Sequence, residues 1–144
     1  MNAPTGAVGL LRRRSMGVAM GYRTVDTDDV EPTPDRPCEL RRLTEAAGLE
    51  QVALNRYSVD PGEEIPLAYH YHDEQEEAFY VISGAIEGEA PGGACEGGGV
   101  QVFAAAPASA HRADCPGVAG ETAEVLAVGA PQTSGDVHAY EPEE

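Results

Sequence analysis

The sequence predicts an all-β fold, an antiparallel sandwich or barrel, and three observations carry that expectation. Apolar residues make up 42% of the 144-residue chain, enough for a core, but 17 Gly and 11 Pro punctuate it too often for long helices. The apolar stretches are short, are bounded by turn residues and show almost no helical periodicity. With no Trp and only two Phe, the core must rest on Val, Leu, Ile and Ala. The length suits one domain.

Taken in order, residues 1–39 read as a tail and an extended segment, and residues 40–144 as the barrel. Arg12-Arg13-Arg14 is followed by no apolar run of the kind a signal peptide needs. Residues 1–19 therefore read as a disordered tail or as an extension ahead of a start at Met20. Residues 28–37 carry acids and three prolines, and should run extended over the surface. Leu40 to Gly48 suits a short helix or turn, with Thr44 as cap and Gly48 as terminator. Strands are expected at Gln51–Val59, Ile65–His72, Ala78–Ser83, Val100–Ala105 and Ala123–Val128, with Val137–Tyr140 as an edge strand. Pro61-Gly62 and Asp73–Gln75 supply turns. Gly84–Gly99, with seven glycines, reads as a flexible hairpin. It lacks the Lys and the strand-to-helix setting of a phosphate loop.

The charge balance excludes several partners. Asp and Glu total 25 against nine basic residues, all of them Arg, for a formal net charge of −16. Such a surface repels nucleic acid and anionic membranes, and no segment approaches the length of a membrane span. The acidity reads as solubility chemistry for a cytoplasm at high salt, where screening leaves little long-range steering. Cys38, Cys95 and Cys115 form no C-x-x-C pair, and an odd count argues against a disulfide framework. They read as small apolar fillers in a reducing cytoplasm.

One constellation carries chemistry. His70 and His72 lie at i and i+2 on an expected strand and so project from one face. Glu77, five residues later, would fall on the opposite face of a straight strand. It can join them only if Asp73-Glu74-Gln75 reverses the chain, which a hairpin there would do. From Glu77 the same face continues to Phe79 and Val81, an apolar wall to which Phe103 could add. Glu76, on the other parity with Ala78, Tyr80 and Ile82, is the alternative ligand. His111 follows the Val100–Ala105 strand and could return to the same interior, and Cys115 lies within reach of it. His138 reads as a surface or edge-strand histidine. Tyr69, Tyr71 and Tyr80 should face away from the site. Tyr80 and Ile82 are too apolar for open solvent and call for a cover, either the N-terminal segment or a second subunit.

The run Gly62…His70-Tyr71-His72…Glu77…Gly84 resembles the first motif of the cupin superfamily, and Gly99…Pro107…His111 is similar to the second. The resemblance covers roughly residues 50–130. It implies a double-stranded β-helix, a small jelly-roll barrel, holding one divalent metal on His70, His72, Glu77 and His111. The second motif departs from the family pattern at Ala108, where Gly is usual, and at Cys115, where Asn is usual. The acidic text is similar to small single-domain cupins of extreme halophiles, which implies a cytoplasmic homodimer.

Three imidazoles and a carboxylate suit Fe, Mn, Ni, Zn or Cu. The functions open at this point are a metal-dependent dioxygenase or isomerase acting on a small oxygen-bearing metabolite, a non-catalytic metal- or metabolite-binding module, and a degenerate structural dimer. Fold alone does not choose among them.

Overall fold

The structure, a computed structural model, describes residues 21–65, 70–107, 111–115, 120–132 and 137–139. The expectations for residues 1–20, Tyr69 and Ala108 lie outside that set. After a single 3-10 turn at Thr27–Asp29, whose first free amide is taken by the Asp26 carboxylate, the described residues fold almost wholly as strands. These are β1 (Glu39–Arg42), β2 (Ala53–Val59), β3 (His70–His72), β4 (Glu76–Ser83) and β5 (Ala85–Ala90). They continue as β6 (Gly93–Gly98), β7 (Val102–Ala105), β8 (Arg112–Asp114), β9 (Ala123–Ala130) and β10 (Val137–Ala139). No described helix is long and apolar enough to cross a membrane.

All pairings are antiparallel. One layer has the order β1-β2-β9-β4-β7. The facing layer consists of two pieces, β10-β3 and β6-β5-β8. A reciprocal backbone pair joins these pieces: His70 N–H donates to His111 O at 3.2 Å, and His111 N–H to His70 O at 2.8 Å. Ile65 N–H, donating to Ala113 O at 2.9 Å, adds to that seam. The result is the double-stranded β-helix.

Period-two alternation builds the core. Ala123, Val125, Ala127 and Gly129 of β9 point inward while their neighbours are half-exposed. Val59 and Tyr57 of β2 and Val81 and Phe79 of β4 meet Ile86 of β5 and Ala113 of β8 in one cluster that also takes Leu40, Ile65, Cys38 and Cys115. Each fully buried Val or Ile contributes about 1.5–3 kcal/mol.

Several expectations needed correction. Leu40–Gly48 is not a helix: Leu40 to Arg42 belongs to β1, paired to β2, and only Thr44–Gly48 turns. Thr44 caps nothing; its hydroxyl instead bridges both backbone groups of Leu54. Gly48 does end the turn, at a left-handed φ of +69°. Residues 84–99 do form the expected hairpin, as β5 on β6, but β8, hidden in polar text and not expected, completes that sheet. Cys115 does not approach the histidines; it sits fully buried in the core with its thiol toward the Glu121 carbonyl. Cys38 is also buried, and that burial first, then Glu63, pushes its thiol up to about 12. Tyr80 and Ile82 do lie on the outer face, 38% and 45% exposed, beside exposed Val100 and Val102. Nothing in the described part of the N-terminal segment covers them.

Gly88 is a steric requirement. A Cβ there would stand 2.4 Å from the Phe103 ring, which lies across the facing strand. Gly88→Ala is expected to cost about 1–3 kcal/mol through overpacking, measured by chemical denaturation, with the slope unchanged.

Candidate metal centre

The seam between the two halves of the second layer brings two histidines together. His70 and His111 are directly opposed, so their side chains leave the sheet on the same face, with ring centroids 4.7 Å apart. His72, two residues along β3, shares that face, with its ring 4.9 Å from that of His70. Glu77 comes from the other layer. β3 and β4 belong to different sheets, so Asp73–Gln75 carries the chain across the barrel rather than forming a β3–β4 hairpin. The crossing still puts Glu77 on the inner face. Its register partners Gly129 and Ala105 lie on the same side, as do Phe79 and Val81. Glu76 is exposed on the outer face.

One carboxylate oxygen is the focus. Glu77 Oε1 lies 2.8 Å from His72 Nε2, 2.9 Å from His111 Nε2 and 3.7 Å from His70 Nε2. The side chains are 4–17% exposed. Burial alone would raise the Glu77 pKa. Hydrogen bonds from His111 and His70, and the charges of His111 and His72, outweigh it and hold the group down at about 2. Phe79 and Phe103 stand against His111 at 6.1 and 6.5 Å, forming the expected apolar wall. His138 lies elsewhere, its Nε2 2.8 Å from Asp73 and its ring stacked on Tyr71.

The donor set fits a divalent cation. One ligand atom from each of His70, His72, Glu77 and His111 lies within 4.8 Å of the others. Metal–nitrogen and metal–oxygen bonds of about 2.0–2.2 Å put two donors on one ion at most about 4.3 Å apart. Sub-ångström contraction would suffice. Protons that bridge imidazole nitrogen to carboxylate and a cation that binds both satisfy the same requirement for positive charge among these atoms.

Residues the sequence reading passed over complete the interior. Asn55 opposes Ala127, which opposes Phe79, and Ala53 opposes Gly129, which opposes Glu77, while Arg42, the edge partner of Asn55, is exposed. Asn55 and Tyr57 share parity with Val59, a signal present in the text of the expected second strand. Tyr57 is buried, and burial first, then Glu77, pushes its hydroxyl up to about 12; Arg36 and Arg42 pull it the other way. Gln75, expected only as a turn residue, is buried. Its amide fills the space where Gly129 lacks a Cβ and donates to Pro131 O at 3.2 Å.

No protein-family model matches the chain, nor does any curated protein sequence. Solved structures do. A sugar phosphate isomerase of the cupin superfamily from Silicibacter pomeroyi is 25% identical with a TM-score of 0.64, over 76% of each chain. A protein with a double-stranded β-helix domain from Klebsiella pneumoniae is 23% identical, TM-score 0.63, over 83% of this chain and 98% of its own. The polyketide cyclase RemF of Streptomyces resistomycificus is 22% identical, TM-score 0.66, over 85% and 88%. The structural neighbours are thus cupin-superfamily barrels.

The Glu77 pKa sets an acid limb of stability. Held below its ordinary value of 4.5, the group contributes stability that is complete above about pH 4.5 and is lost as the pH falls toward 2. In chelator-treated protein, Glu77→Gln should flatten the stability profile across that window, as read by denaturant midpoints.

Proposed function

We propose that this chain is a metal-dependent enzyme of isomerase type acting on a small oxygen-bearing metabolite, with one divalent ion held by His70, His72, Glu77 and His111. The observation that carries the reading is the convergence of three imidazole nitrogens on one buried carboxylate, all within 4.8 Å. The likeness to a sugar phosphate isomerase at 25% identity supports the isomerase class over a dioxygenase. The donors suit Fe, Mn, Ni, Zn or Cu. When bound, such an ion acts as a Lewis acid on a ligand oxygen. The protein's own part is positional. His70 and His111 are fixed by their shared backbone pair, Glu77 balances charge, and Phe79 and Phe103 keep water from the His111 side.

One observation favours a second reading, a non-catalytic binding or sensing module. The inner faces of β1, β2, β4, β7 and β9 carry no carboxylate besides Glu77. Tyr57, at about 12, is a poor base near neutrality. Elemental analysis of protein purified in high salt separates these readings when paired with turnover on aldose and ketose phosphates and with oxygen-uptake assays. An enzyme should carry about one metal per chain and turn over substrate, and His72→Ala should lose the metal and at least about 100-fold in rate. Bound metal without turnover would establish the module. Absence of metal from the wild type overturns both and leaves a structural barrel.

A homodimer is part of the proposal. Tyr80 and Val102 are register partners on the outer face, at the β7 edge, flanked by Ile82 and Val100. A second copy related by a two-fold axis would cover this patch, which is free of charged side chains at those four positions. The wild type should sediment at twice the chain mass and Ile82→Glu at the chain mass; a wild-type monomer would refute the pairing.

A further inference from the structure

The register row that ends on Glu77 is built from small residues. Ala53 of β2 opposes Gly129 of β9, and Gly129 opposes Glu77 of β4. A glycine inside a strand packs no side chain of its own and marks a place where another group comes close. Here that group is the Gln75 carboxamide. A Cβ on Gly129 would stand 2.7 Å from Gln75 Cδ, 2.8 Å from Nε2 and 2.9 Å from Oε1, so the amide lies flat on the glycine. Neighbouring strands are about 4.8 Å apart, which puts Gly129 and the amide resting on it one such step from both Ala53 and Glu77.

On the Ala53 side is a cavity of about 350 Å³. Ala53, Asn55 and Gln75 are among the residues that line it, and none of His70, His72, Glu77 and His111 does. On the other side is the Glu77 carboxylate on which His72 and His111 converge. Gln75 stands between the two spaces and is held at both ends. Its backbone leads directly into β4, the strand that supplies Glu77. Its side chain is 8% exposed, with Nε2 donating to Pro131 O at 3.2 Å. A buried amide is costly unless it is hydrogen-bonded, and an apolar side chain of equal length would fill the same notch without that demand. The bulk of Gln75 thus separates the spaces, and the hydrogen bond fixes where that bulk lies.

We propose that Gln75 is a specificity-determining residue of the metal centre: its side chain bars a metal-bound ligand from the cavity beyond Gly129. The inference rests on the metal-centre reading above and deepens it. Toward β2, the substrate is confined to its chelating group and the nearest atoms. Gly129 has its own part in this, because any larger residue there would displace the Gln75 amide from the row.

Two hydroxamates with the same chelating head test it: acetohydroxamate, and the hydroxamate of adipic acid monoamide, whose longer chain ends in an amide suited to a polar cavity. Affinities are read by calorimetry on metal-loaded protein, with metal content and denaturant midpoints measured on the same samples. In Gln75→Ala, the affinity of the long probe relative to the short one should rise about tenfold or more over the wild type, the scale on which pocket shape discriminates ligands. Gln75→Met, which keeps the bulk and loses the amide, should hold the wild-type ratio. Both variants lose the hydrogen bond to Pro131, so a merely structural role would move them together. Gln75→Ser stands in for Gln75→Ala should the latter not fold. An unchanged ratio in the shortened variant, an equal rise in Gln75→Met, or failure of both probes to bind overturns the proposal and leaves the metal centre standing. Wild-type protein that takes up no metal overturns the metal centre, and the role of Gln75 with it.

Discussion

The arrangement depends on one reciprocal pair of backbone hydrogen bonds within the second layer, the exchange between His70 and His111. It joins the two pieces of one layer, β10-β3 and β6-β5-β8. Because directly opposed residues of an antiparallel pair share a face, the same contact that closes the barrel points two imidazoles inward. His72 follows by the two-residue period of its strand. Fold closure and site assembly are therefore a single event, and a slip of one residue at this seam would put His111 on the opposite face from His70 and His72.

Electrostatics accounts for the remaining donor. A carboxylate buried in an apolar barrel ordinarily gains a proton, and three surrounding imidazoles reverse that tendency. Positive charge is scarce in a chain of net charge −16. Here it is supplied from inside, by histidine protons or by a cation, and the wall of Phe79 and Phe103 keeps water from diluting it. The same economy of cations makes the arginines informative. Arg41 and Arg56 bind carboxylates at the surface.

Much of this was legible in the text. The i, i+2 histidines, the parity of Glu77 over Glu76, and Phe79 as an inward wall all follow from strand periodicity, which is a local property. β9 was readable for the same reason, since Ala123, Val125 and Ala127 alternate with larger or polar neighbours. β1 and β8 were not. Glu39–Arg42 and Arg112–Asp114 carry more charge than apolar surface, and their extended form comes from edge pairing to β2 and β5. The Asp73–Gln75 turn was legible as a reversal, but not as a crossing between layers, because a turn's sequence does not specify which strand receives the chain.

What the sequence by itself determined is the set of groups facing one way along each strand, since alternation needs only the backbone's period of two. It also determined a donor chemistry of imidazole and carboxylate. Which strands lie opposite one another was decided only in three dimensions, through long-range register that hydrogen bonding and core packing choose together. That is why the placement of Gln75 over Gly129 and the burial of Cys115 in the core both had to be read from the folded chain.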